Sequence, residues 1–151
     1  MPPSLLQTPS RPDCTLCSGE GGVLLVRRQE LRVVRVEDPD YPAYLRVIWN
    51  AHVTEMSDLA ETERARLMAA VNVVEMALRQ IMEPDKINLA SLGNQVPHLH
   101  WHMIARFSDD AHYPQPIWAE RQRDASALRL MECRQRLPAL AARIVEWMVA
   151  D

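Results

Sequence analysis

The chain has 151 residues, 48% apolar and 25% charged, with a net charge of −3 and a pI near 5.9. That is enough for one domain with a proper core, and the acidic balance speaks against a general nucleic-acid or anionic-membrane binder while leaving room for a small anionic ligand held by a few local donors. No apolar run approaches the roughly 20 residues of a membrane span, and three cysteines, Cys14, Cys17 and Cys133, are too few for a disulfide framework.

Residues 1–13, MPPSLLQTPSRPD, are rich in proline and serine and lack the apolar core of a signal peptide. They read as a poorly ordered tail on a cytoplasmic protein. CTLCSGEGG then gives a flexible turn. VLLVRR and LRVVRV, separated by Gln29 and Glu30, read as a β-hairpin. EDPDYP is a loop, and AYLRVIWN is a third strand. Asp58, with Glu61 three residues on, is the expected cap of a helix. Leu67, Met68, Val71, Val74, Leu78, Ile81 and Met82 form its apolar stripe, and Pro84 ends it. KINLAS and HLHWHMIAR are two more strands around the turn LGNQVP. Residues 106–125 make a long polar loop. The rest, SALRLMECRQRLPALAARIVEWMVAD, is helical in pattern, and Pro138 is expected to split it into two helices. The order predicts an α+β domain: a mainly antiparallel sheet covered by one long helix, with extra C-terminal helices.

Three of the five histidines stand at 98, 100 and 102, alternating with Leu99 and Trp101. On a strand, residues two apart share a face. The imidazoles therefore form a row on one side, and Leu99, Trp101 and Met103 point to the other, where the long helix can cover them. Composition alone predicts this pattern only ~0.005 times per chain. Two chemistries suit it. One is metal binding through neighbouring imidazoles. The other is nucleophilic catalysis by the central histidine, whose neutral ring attacks phosphorus without a separate strong base.

HLHWHMI has the form His-φ-His-φ-His-φ-φ, with φ apolar, and resembles the signature of the histidine triad superfamily of nucleotide hydrolases and transferases. YLRVIWNAHV resembles the family's strand ending in histidine, and LGNQVP its approach to the triad. The resemblance covers residues 14–107, with 108–151 as a loop and helical extension. It implies that His100 is the nucleophile and forms a nucleotidyl-histidine intermediate. It implies that His102 contacts and polarises the phosphate, and that His98 orients the others or binds metal. Gly93 matches the family's glycine before the triad, Asn94 stands where the family usually has Gln, and Gln95 where Ser or Thr is common. Asn88 resembles the family's strand asparagine. These four are the implied substrate-binding residues. The usual Pro-Lys pair is replaced by Trp49 and Asn50. The ribose-binding aspartate falls opposite Val36, with Glu37 or Asp38 able to substitute after a small shift.

Cys14 and Cys17 have the spacing of half a zinc site. Related triad proteins and galactose-1-phosphate uridylyltransferases bind zinc with a Cys, Cys, His, His set. The resemblance thus implies a structural Zn²⁺ on Cys14, Cys17, His52 and His98, pinning the glycine-rich segment to the sheet. Plain thiols are the simpler reading of the two cysteines, and a thioredoxin-like pair is disfavoured because no strand precedes them. Cys133 reads as a small core residue and His112 as an exposed loop residue. Trp118 reads either as a loop anchor beside the site or as core. Arg27, Arg28, Arg32 and Arg35 read as a solvated strand face that can also attract polyphosphate.

The leading expectation is an enzyme acting at the α-phosphate of a dinucleoside polyphosphate or nucleoside phosphoramidate. A homodimer is also implied by the resemblance. A nucleotide-binding module with little turnover is the second reading, supported by the missing ribose aspartate. A catalytic metal held by all three triad histidines ranks last. Next-but-one strand residues lie ~6.6–6.8 Å apart, too far for three imidazoles to meet one ion easily.

Overall fold

A computed structural model describes residues 10–149; residues 1–9 of the expected tail lie outside the described part. Five strands form one antiparallel sheet in the order β1-β2-β3-β5-β4. They are β1 (Val23–Arg27), β2 (Leu31–Arg35), β3 (Tyr44–Trp49), β4 (Lys86–Ala90) and β5 (His100–Arg106). All five expected strands are present. The central pair is β3–β5, in which Arg46 faces His102 and Ile48 faces His100. No described helix is long and apolar enough to cross a membrane.

Period-two alternation divides the sheet into two faces. Leu45, Val47 and Trp49 of β3, Met103 and Ala105 of β5 and Ile87 of β4 lie in the main core with the preceding Leu99. The long helix α2 (Glu61–Met82) covers that face with Leu67, Val71, Val74 and Leu78, as its stripe predicts. Its start differs from expectation. Asp58 caps a short 3-10 turn, Met56–Asp58, by accepting the Glu55 N–H at 2.9 Å. The carboxylate that caps α2 itself is Glu63, which accepts the Ala60 N–H at 2.8 Å.

Pro138 does not split the C-terminal segment. One helix, α3 (Ala127–Val149), runs through it. A proline inside a helix costs about 3 kcal/mol. Leu140, Ile144 and Met148 are buried after it at helical spacing, and each stabilises by about 1.5–3 kcal/mol, which outweighs that cost. Pro138 and Arg134 lie on the solvent side, so water can satisfy the carbonyl left without a partner. Through Cys133 and these side chains α3 shares the core of α2 and the sheet.

The opposite face carries the histidines and is covered only in part. The segment expected as a flexible turn contains one helical turn, α1 (Thr15–Ser18), whose Leu16 packs on Val34 and Ile48. Gly21 lets this segment lie flat: a Cβ there would stand 2.6 Å from Leu16 and 2.8 Å from Ile48. The long loop after β5 is pinned by a buried ion pair. Arg106 Nε donates to Asp110 at 2.7 Å, and Asp110 also accepts the N–H groups of Phe107, His112 and Tyr113. Both side chains are at most 5% exposed. Removing one partner leaves a buried charge without compensation. Arg106→Ala is therefore expected to lower the unfolding free energy by about 3–5 kcal/mol, read as a drop in the urea midpoint.

Candidate active site

A cavity of about 280 Å³ opens on the histidine face. His100 and His102 form its floor with Tyr44 and Arg46, residues 92–96 form one wall, and Trp118 from the long loop forms another. The two imidazoles meet edge to face with centroids 4.7 Å apart, and Trp118 packs on His102 at 5.0 Å. Gly93 holds φ +84°, a conformation that disfavours a side chain and turns the 93–95 backbone along the cavity.

Hydrogen bonds define the protonation of each ring. His100 Nδ1 lies 2.6 Å from the His98 carbonyl, which can only accept. Nδ1 therefore carries the proton, and the lone pair sits on Nε2. Burial lowers the His100 pKa, and the nearby Arg46 charge adds to this against the carbonyl bond. His102 Nδ1 lies 2.6 Å from the Tyr44 hydroxyl. Burial, with the fields of His100 and Arg46, pushes the His102 pKa down to about 3, so the ring is neutral. Burial raises the Tyr44 pKa, while the nearby Arg46 guanidinium acts in the opposite sense. The Tyr44 hydroxyl can donate to His102 Nδ1. In that arrangement the His102 proton is on Nε2.

Beside the cavity, Cys14, Cys17, His52 and His98 bring one ligand atom each within 4.8 Å of one another, a set that can hold a metal ion. Cys17 Sγ is 3.3 Å from His52 Nδ1, and His98 Nδ1 is 3.5 Å from both sulfurs. His98 Nε2 donates to the Trp49 carbonyl at 2.6 Å, which leaves Nδ1 unprotonated toward the thiols. The single turn of α1 is what puts both cysteines on one side.

Residues 22–109 match the model of the HIT domain. The chain belongs to the HIT family. A histidine triad protein from Bradyrhizobium japonicum superposes with a TM-score of 0.69 at 34% identity, covering 83% of this chain and 92% of that one. A HIT protein from Sinorhizobium meliloti gives 0.66 at 26% identity, covering 84% and 90%. An AP-4-A phosphorylase from Mycobacterium tuberculosis is 26% identical over 119 residues, 74% of this chain. The match spans 61% of that curated relative's length.

The HIT motif thus divides between two places. His100 and His102 line the cavity, while His98 lies just before β5 and turns into the cysteine corner, so the expected row of three imidazoles is a pair plus one. Gly93, Asn94 and Gln95 line the cavity. Asn88 does not; its Oδ1 accepts from Arg106 at 2.7 Å. Glu37 and Asp38 border a separate groove with Arg35 and Arg134, and Val36 packs beside Tyr41 and Tyr44. Trp49 is core, and Asn50 ties the β1–β2 turn by donating to the Arg28 carbonyl at 2.9 Å. His112 is half-buried rather than exposed, with Nδ1 2.6 Å from the Tyr41 hydroxyl, and lies outside the cavity. Tyr44 and Arg46 are the cavity residues that sequence reasoning missed. The available signal was alternation: Tyr44, Arg46 and Ile48 share one face of a strand whose other face is Leu45, Val47 and Trp49.

A neutral, buried His102 has a pH consequence. Its folded pKa, about 3, lies below the unfolded value of about 6.5, so the unfolded chain binds the extra proton between them. Stability from this group is complete above about pH 6.5 and is lost as pH falls toward 3. Thermal melts from pH 7 to pH 4 should show a falling midpoint, with a slope that flattens by about one proton in His102→Asn.

Proposed function

We propose that this chain is a nucleotide-phosphate hydrolase or nucleotidyl transferase working through a covalent nucleotidyl-histidine at His100. The observation that carries the reading is the bond from His100 Nδ1–H to the His98 carbonyl, which leaves a lone pair on the other nitrogen of a ring lining the cavity. HIT membership and the name of the mycobacterial relative support a dinucleoside polyphosphate as substrate, with a nucleoside phosphoramidate as the other candidate. The His100 Nε2 lone pair forms a bond to the α-phosphorus as the bond to the leaving group breaks. The electron pair of that bond departs with the leaving group. Donors from Gly93, Asn94 and Gln95 and the His102 Nε2–H stabilise the phosphoryl oxygens. Water then attacks the same phosphorus and loses a proton to solvent, the P–N bond breaks, and its electrons return to Nε2. His100→Ala should reduce turnover of a dinucleoside tetraphosphate at least about 10³-fold with the melting temperature unchanged. Wild-type protein quenched during turnover should carry one nucleoside monophosphate by intact mass, absent in the variant. Nucleotide binding without turnover in the wild type would make the protein a binding module instead.

The four-ligand corner suits zinc. Zn–S of about 2.3 Å and Zn–N of about 2.0–2.1 Å at tetrahedral angles put sulfur and nitrogen about 3.6 Å apart. The observed 3.3 Å and 3.5 Å separations are close to that. When bound, the ion supplies cross-linking rather than phosphate chemistry, because all four positions are protein ligands. Cys14, Cys17, His52 and His98 would then fasten α1 to the start of β5. Purified protein should contain about one zinc per chain by elemental analysis. Cys14→Ser/Cys17→Ser should lose it and melt at lower temperature; an equal metal content would refute the site.

A further inference from the structure

The arginines of the hairpin lie away from the cavity. Arg27 pairs with Glu20, and Arg28 donates to the Met148 carbonyl. Arg32 donates to the carbonyls of Leu16 and Gly19 and to Asn50. Arg35 lies in the groove with Glu37. The guanidinium that reaches the cavity is Arg46. Its Nη1 donates to the Gly21 carbonyl at 3.1 Å, and its Cζ sits 5.6 Å from the Tyr44 ring centroid. Its Nε is buried with no hydrogen-bond partner. Among the described residues no carboxylate forms an ion pair with it. A guanidinium that lines the cavity without a carboxylate partner favours an incoming anion, and its planar donors match phosphate geometry well.

The sheet register sets Arg46 relative to His100. On β3, Ile48 lies opposite His100, while Arg46 lies opposite His102, one step further along the strands. In an in-line displacement the leaving oxygen departs on the side away from the nucleophile. A donor set one step from His100 therefore serves the leaving group.

We propose that Arg46 is the residue that selects the leaving group, binding a phosphate beyond the one attacked, so that dinucleoside polyphosphates are preferred to nucleoside phosphoramidates. This rests on the nucleotidyl-transfer reading above. As the bond from His100 Nε2 to phosphorus forms, the P–O bridge breaks and its electron pair stays on the departing polyphosphate. Arg46 stabilises that charge by hydrogen bonding and gives up no proton. An amine leaving group needs a proton and offers Arg46 no charge. The neutrality of His102 is consistent with this division.

The test compares wild type, Arg46→Gln and Arg46→Lys in two measurements. One is calorimetric binding of inorganic tripolyphosphate. The other is kcat/KM for diadenosine tetraphosphate and for adenosine 5′-phosphoramidate. Arg46→Gln should weaken tripolyphosphate binding and lower kcat/KM for the tetraphosphate by about 10–100-fold, the range of a charged hydrogen bond. It should change the phosphoramidate by less than about 3-fold, and Arg46→Lys, which keeps the charge but not the planar fork, should fall between Arg46→Gln and wild type on the tetraphosphate. Arg46→Met, which keeps the apolar stem over Tyr44, gives the same comparison should Arg46→Gln not fold. Unchanged tripolyphosphate affinity overturns the proposal. So do equal losses on both substrates, which would put Arg46 at the transferred phosphoryl group. A wild-type protein that turns over neither substrate but binds tripolyphosphate through Arg46 upholds the anion site and overturns the catalytic reading.

Discussion

The rest of the site depends on how the backbone and ring of His98 are held. The ring donates to the Trp49 carbonyl at 2.6 Å and turns its other nitrogen to Cys14 and Cys17. The carbonyl of the same residue accepts the Nδ1–H of His100, also at 2.6 Å. One residue therefore anchors the cysteine corner and fixes the tautomer of the ring in the cavity. The peptide itself is held by the His98 N–H, which donates to the Val96 carbonyl at 2.8 Å, and by the next N–H, of Leu99, which donates to the Val53 carbonyl at 2.7 Å. A site placed at a strand end gains precision from such a neighbour, because the supporting bonds are to main chain and not to mobile side chains.

Electrostatically the cavity is unusual for lacking a carboxylate among its lining residues. Burial keeps both imidazoles neutral, which suits a nitrogen that must offer a lone pair. A nearby acid would favour imidazolium and remove that lone pair. Arg46 acts in the opposite sense, depressing both rings while leaving a positive field for an anionic ligand. The Tyr44 hydroxyl, 2.6 Å from His102 Nδ1, then orders the remaining proton. The acidic balance of the whole molecule is no obstacle, since a short-range guanidinium dominates the potential within a Debye length of about 8–10 Å.

Much of this was legible from sequence because it follows from periodicity. The alternation in HLHWHMIAR fixed which side chains face the core, and Leu99 and Met103 are indeed buried among α2 side chains. The stripe from Leu67 to Met82 defined α2 for the same reason. What failed was what periodicity does not contain. Pro138 reads locally as a break, yet the apolar stripe beyond it decides, and that stripe has meaning only once α2 and the sheet are in place. His98 shares the parity of His100 and His102, but the strand begins after it, so its ring is free to turn toward the cysteines. Alternation could put Tyr44 and Arg46 on one face of β3, but joining them to His102 needed the β3–β5 register, which pairs residues nearly sixty positions apart. Asn88 lies on the expected face, but Arg106 one rung away takes its carbonyl oxygen.

The far wall of the cavity rests on a different kind of constraint. Trp118 comes from a loop with no regular structure, and half of its surface is exposed, so its own burial is a weak anchor. The loop is instead held at its root by Arg106 and Asp110. Asp110 collects three backbone N–H groups and the Tyr41 hydroxyl, while Arg106 reaches Asn88 and the Gln115 carbonyl. An apolar pair of equal volume could stabilise as much, since desolvating two charges offsets most of their attraction. It could not specify which peptide groups of residues 107–115 turn inward. The ion pair therefore contributes chiefly a unique loop path, and that path is what delivers Trp118 to the face of His102.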